Sequence, residues 1–205
     1  MGIETGVEDD MAGFVLALML LAGADAQPSV RHDRAATAFR VAAWARERGD
    51  AHAMLAAARM VADAGVRTED AKPAFLALAD EAVAMAPGDA RIVEMASAIR
   101  DAAPRGILRG PLGDGPIVMR HLLLAGATAA WPIQAQGGTT AIVSAVGDGD
   151  ANIDLRVLRG SVTVCADVAR DPNPMCRWRV AQDATFRIAV SNRGRVATRV
   201  VVLSN

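Results

Sequence analysis

From Asp33 to Ala103 the apolar residues recur in steps of three and four: Met54, Leu55, Ala58, Val61 and Ala62, then Leu76, Ala79 and Val83, then Ile92, Met95 and Ile99. Such a period lines one face of a helix. It predicts four helices, near residues 33–48, 51–64, 71–86 and 90–102. Gly49-Asp50, Gly65 and Pro87-Gly88-Asp89 mark their limits. Glycine accepts the left-handed conformation that ends a helix, and an aspartate carboxylate accepts the free N–H groups of the next first turn.

The period changes after Pro104. Residues 104–116 hold four glycines and three prolines and read as a linker. Beyond it, short β-type runs alternate with turn residues, at 117–124, 129–136, 140–146, 153–158, 161–166, 185–191 and 196–203. Seven short strands at this spacing predict an antiparallel sandwich. Near the end Phe186, Ile188 and Val190 alternate with Arg187 and Ala189, and Asn192-Arg193-Gly194 predicts a hairpin whose glycine takes a positive φ. The expected fold class is thus α+β: N-terminal helical hairpins of four helices, residues 27–103, then a β-sandwich domain over residues 117–205.

The ends of the chain change the picture. Met11 to Ala26 carries an apolar run of about twelve residues, shorter than the roughly 20 that span a bilayer. It has the length of a signal-peptide core and closes on Ala24-Asp25-Ala26, a cleavage-type pattern, so residues 1–26 are expected to be a signal peptide. The segment before it departs from that pattern, with Glu4, Glu8, Asp9 and Asp10 and no Lys or Arg. Cleavage after Ala26 removes five acids and no base from 23 acidic and 22 basic side chains, leaving a net charge of +4. Neither that charge nor the full chain's -1, with only 3% aromatic residues, offers the footprint of a nucleic-acid binder.

Cys165 and Cys176 are the two cysteines, and their spacing fits neither C-x-x-C redox chemistry nor a four-ligand zinc site. In an oxidising compartment they form a disulfide; in a cytoplasmic protein they are two thiols. The disulfide and the signal peptide each make better sense if the other is right, and together they place the protein in the periplasm or outside the cell.

Residues 147–155, "GDGDANIDL", set Asp148, Asp150, Asn152 and Asp154 at every second position. Calcium takes six to eight oxygens at about 2.3 to 2.6 Å. Alternate side chains on an extended strand start about 6.6 Å apart, so the four converge only if the chain folds over at Gly147 and Gly149. The register differs from an EF-hand loop. A polar turn held by Asx hydrogen bonds and a weak calcium site both remain open. His32, His52 and His121 are too scattered for a metal cluster, and no nucleophile or phosphate-loop motif is present. Arg177, Trp178 and Arg179 read either as a core tryptophan between solvated arginines or, with Arg187, Arg193, Arg195 and Arg199, as a basic ligand face.

Two resemblances follow from these residues. Gly-Asp-Ala at 49 and again at 88 gives the helical part a weak similarity to tetratricopeptide pairs. "GGTTAIVSAVGDGDANIDLRV", "CRWRV" and "FRIAVSNRGRV", in that order over residues 107–205, resemble the bacterial pre-peptidase C-terminal domain, a jelly-roll β-sandwich appended to secreted peptidases. The family pattern is a strand, a "GDGD-x-DLDL" turn, a Cys-x-Trp segment and a terminal hairpin around "N-x-G". Asn152 replaces the first Asp of "DLDL" and Arg156 stands where an aromatic is common. No peptidase region accompanies the domain, so proteolysis does not carry over. The resemblance implies a non-enzymatic binding or accessory protein of the cell envelope, with the helices as protein-contact surface and a protein or peptide partner ahead of a small molecule. The rival expectations are a calcium-stabilised carbohydrate- or peptide-binding sandwich, and a hydrolase or hydrolase regulator using Asp148, Asp150 or Asp154.

Overall fold

The computed structural model describes residues 26–102 and 116–205. Nearly all of the expected signal peptide and linker therefore lie outside the described residues. Four helices come first, α1 (Ala26–Arg48), α2 (Ala51–Ala64), α3 (Phe75–Met85) and α4 (Ala90–Ala102). Asp50 accepts the Ala53 N–H at 3.0 Å and Asp89 accepts the Arg91 N–H at 2.9 Å, while Gly65 closes α2 at φ 67°. These are the caps that the sequence pattern required. Helix α1 begins seven residues earlier than its apolar period, because among residues 29–34 only His32 is buried and a single buried polar residue makes no stripe. Helix α3 begins late. Arg67 and Thr68 form a two-residue strand, β1, and turn back through Ala71, whose carbonyl binds the Arg67 guanidinium at 2.7 Å.

The remaining strands are β2 (Ile117–Leu123), β3 (Thr128–Ala135), β4 (Thr140–Gly147), β5 (Ile153–Arg159), β6 (Val162–Asp167), β7 (Met175–Arg179), β8 (Ala184–Asn192) and β9 (Thr198–Ser204). They make two sheets, ordered β1-β2-β9-β4-β7 and β3-β8-β5-β6. All pairs are antiparallel except β1 with β2. Without β1 this is the eight-stranded order of a jelly roll. The fold class is α+β, with the helices N-terminal to the sandwich.

Only β5 and β6 are joined as a hairpin within one sheet; every other link between consecutive strands from β2 to β9 crosses from one sheet to the other. The hairpin expected around Asn192-Arg193-Gly194 is therefore a crossover. Strands β8 and β9 each bury an alternating face in the same sandwich, but from opposite sides. Asn192 holds the crossover: its Nδ2 donates to the Leu123 and Val196 carbonyls, and its Oδ1 accepts the Gly194 N–H at 2.8 Å. Gly194 does not need a positive φ; a Cβ there would stand 2.7 Å from the Ala151 Cβ. Strand β7 was not among the expected strands, although Cys176, Trp178 and Val180 alternate inward against Arg177 and Arg179.

The registers divide the five-stranded sheet into two faces. One carries Val143, Ala145, Val200, Val202, Cys176 and Trp178 and packs on Leu155, Ile188 and Val190 of the second sheet. The other carries Val118, Val146 and Leu203, which belong to the helical core with Phe39, Leu55, Val61 and Leu78. The helices thus form a third layer on the back of the sandwich, and the two halves of the chain share a core. Strand β4 lies between the layers and every residue after Thr140 is buried. A strand covered on both faces is apolar along its whole length, as "AIVSAV" is.

Candidate functional site

The third layer does not cover the sheet completely. Along the edge of α1 and α3 it leaves a cleft of about 800 Å³ against β2, β9 and the end of β4. Its apolar part is Phe39, Leu122, Val146 and Val201. Its charged part comes from both layers: Arg46, Glu47 and Glu81 from the helices, and Arg120, Asp148, Asp150 and Arg199 from the sheet. Mixed lining of this kind, an apolar wall with a few convergent polar groups, is the usual character of ligand sites.

The charges differ in how far they are already engaged. Arg46 and Glu81 face each other in a two-pronged pair, with Nη2 to Oε2 at 2.8 Å. Arg120 and Arg199 make no ion pair among the described residues. They are diagonal neighbours on one face, since Arg120 is opposite Val201 and Leu122 opposite Arg199. Such neighbours lie roughly 7 to 8 Å apart. The Arg120 guanidinium stands 6.0 Å from the Phe39 ring centre. Burial, then the like charge of Arg46, weaken its hold on its proton, and Glu81 partly offsets both. Arginine stays charged all the same, so Arg120 is a cation without a partner beside an apolar wall.

The acidic motif reaches this cleft only in part. Asp148 receives the Thr198 hydroxyl and, at 2.8 Å, the Arg199 backbone N–H. Burial alone would raise its carboxyl, but the Thr198 hydroxyl and the backbone N–H groups of Arg199 and Asp150 outweigh it and hold the group below the usual carboxylate range. Asp150 is exposed on the cleft rim. Asn152 turns away and accepts the Asp171 N–H at 3.0 Å. Asp154 lies on the outer face of the second sheet, where it pairs with Arg193 at 2.8 Å and Arg156 at 3.3 Å. The expected calcium set is therefore dispersed, and among the described residues no three His, Cys, Asp or Glu side chains converge on a metal position. The chain turns at Gly149, which takes φ 97°, whereas Gly147 stays in β4, where a Cβ would stand 3.0 Å from the Pro172 carbonyl oxygen. The fold directs the carboxylates to different neighbours. The same dispersal separates the three carboxylates expected to serve a hydrolase.

The Arg177-Trp178-Arg179 face is corrected in the same way. Trp178 is 7% exposed and sits edge-on to Phe186, ring centres 5.3 Å apart, inside the sandwich core. Arg177 and Arg179 point to the other face of β7, Arg187 lies on the outer side of the second sheet and Arg199 in the cleft. Cys165 and Cys176 form a disulfide, with Cα atoms 5.8 Å apart. It joins β6, an edge of one sheet, to β7, an edge of the other, so it staples the sandwich as well as closing a loop.

The histidines divide cleanly. His52 is exposed in the first turn of α2, and His121 stacks on Trp131 with ring centres 4.2 Å apart. His32 is fully buried between α1 and β4, its Nε2 3.0 Å from the Ser144 hydroxyl. Its pKa is lowered from 6.5 to about 4: burial is the main cause, Asp33 opposes it, Arg177 adds to it, and the Ser204 backbone favours the charged form. The sequence contained signs of the cleft that periodicity does not read. Arg120 and Arg199 each stand on the helix-facing side of a largely apolar strand, and a cation there marks a gap in the covering layer.

No protein-family model and no curated protein matches this chain. Among solved structures, it is similar to the pre-peptidase C-terminal domain of a collagenase from Bacillus anthracis, at 8% identity and a TM-score of 0.39, over 43% of this chain and 87% of that one. A periplasmic inhibitor of g-type lysozyme from Aeromonas hydrophila matches at 10% identity and a TM-score of 0.32, over 44% of this chain and 86% of that one. A designed double-stranded β-helix matches at 9% identity and a TM-score of 0.29, over 43% of this chain and 97% of that one. These three likenesses concern strand architecture and carry nothing about activity.

Proposed function

We propose that this protein is a non-enzymatic binding module of the cell envelope, and that its ligand occupies the cleft between the helical layer and the five-stranded sheet. The observation that carries the reading is the cleft itself, an apolar wall flanked by two arginines without ion-pair partners. The disulfide between the two sheet edges supports a location outside the cytoplasm, where such bonds persist. Among the described residues no helix is long and apolar enough to cross a membrane. The helices contribute one wall of the site in place of a free groove, because their buried apolar faces are spent on one another and, through α1, on the sheet. The two helix pairs also differ, at 23 and 14 residues against 11 and 13, with β1 between them, so a repeat-type groove has little support.

The test is ligand-observed NMR on the oxidised protein with a library of neutral, anionic, cationic and zwitterionic fragments. Leu122→Glu serves as the comparison, since Leu122 is 64% exposed and its replacement leaves the fold in place. Hits that Leu122→Glu abolishes support the cleft. A library that yields no hits, or hits indifferent to Leu122→Glu, would falsify it.

A further inference from the structure

Resting on that cleft reading, we infer that its ligand carries charges of both signs: a short peptide with free ends, held by its carboxylate between Arg120 and Arg199 and by its ammonium at Glu47 and Asp150.

The inference comes from what each charge in the cleft already has. Arg46 and Glu81 satisfy each other, and Asp148 is occupied by the Thr198 hydroxyl and the Arg199 N–H. Five charged side chains form no ion pair among the described residues: Arg120 and Arg199, then Glu47 and Asp150, and Asp148, which keeps its charge although neutral donors hold its oxygens. Two unpaired cations beside three unpaired carboxylates in one cleft disfavour a simple anion, because the carboxylates repel it. A dipolar ligand meets both signs.

The arginines and Glu47 stand on opposite walls of the cleft, the sheet and the helical layer. The arginines stand diagonally on β2 and β9, and a carboxylate between them can take an N–H pair from each fork. Glu47 lies near the end of α1 on the helical wall, and Asp150 on the turn after β4. Leu122 and Val201 supply an apolar surface in the same cleft, which suits a ligand with an apolar middle. A free amino acid has both charges but no such middle, so length is part of the prediction.

The experiment is calorimetric titration of the oxidised protein with four probes: Ala-Leu-Leu-Ala with free ends, the same peptide as its C-terminal amide, its N-acetyl form, and free leucine. The free-ended peptide is expected to bind, the amide about tenfold more weakly, the acetylated form several-fold more weakly, and leucine weakest. Arg120→Gln and Arg199→Gln are each expected to cost the free-ended peptide about tenfold. In the double variant the free acid should fall to the affinity that the amide keeps, so that both still bind and bind alike, whereas a general loss of folding would abolish both; far-ultraviolet circular dichroism and the melting temperature check the fold separately. Equal binding of the free-ended, amide and N-acetyl peptides overturns the charge assignment while the cleft reading stands. Leucine binding as well as the peptide overturns the length assignment. If neither these probes nor any fragment binds, both readings fall.

Discussion

The two faces of the five-stranded sheet are built from the same strands and do opposite things. The face toward the second sheet is closed: Val143, Ala145, Val200 and Val202 meet Leu155, Ile188 and Val190, and the disulfide fastens the edge. The face toward the helices is open at one end and polar at two places, the His32 to Ser144 contact and the charged cleft. A face that excludes water uniformly can only hold structure. One that leaves unpaired charge beside apolar wall can also hold a ligand, and it forgoes stability for that.

The comparison can be broken by measuring stability on each side. The largest effect belongs to the closed face: Ile188→Ala, at a fully buried position, is expected to lower unfolding free energy by about 4 kcal/mol in urea titration. A loss under about 1 kcal/mol would show that this face is loosely packed.

Next comes acid. His32 has a folded pKa of about 4 against 6.5 unfolded, so between those values the unfolded chain binds a proton that the folded one refuses. The contribution is complete above pH 6.5 and is lost as pH falls toward 4, about 3 kcal/mol in all. Urea titrations from pH 7 to pH 4 should show this slope, and His32→Gln should flatten it. An unchanged slope in His32→Gln would place the acid sensitivity elsewhere.

Reducing the disulfide sharpens the closed side further. Replacing Cys165 and Cys176 by serine is expected to cost about 2 to 3 kcal/mol, since the bond restricts a short loop in the unfolded chain. The smallest expected effect lies at the acidic turn. Asp148→Asn weakens two hydrogen bonds on an exposed group and should cost about 1 kcal/mol. Saturating calcium should leave the melting temperature of both proteins where chelator leaves it; an upward shift in the parent alone would restore the cation site.

The same two faces explain what could be seen in the sequence. Helices α2 and α4 were legible to the residue, because each has one apolar stripe and an aspartate cap. So were most strands. Their partners were not, since alternation says which residues face inward but not which sheet they face, and in a jelly roll nearly every turn changes sheets. The candidate site was illegible for a related reason. It joins Phe39 and Glu47 to Arg120 and Arg199, positions far apart in the chain that only the docking of α1 on β4 and β9 brings together. The one local motif, the acidic run, was visible because it is local, and its residues disperse because the chain crosses there from one sheet to the other: Asp148 stays beside β9, while Asp154 is carried into the second sheet with β5.

The strand order also sets a timetable. Strand β9 lies between β2 and β4, so the central sheet cannot close until residues near 200 have left the ribosome, and β2 and β4 must wait with unpaired edges. Pairings this distant in sequence form slowly and leave the waiting strands open to aggregation. A chain truncated before Thr198 is accordingly expected to lack a cooperative unfolding transition and to depend on chaperones, whatever the quality of its helices.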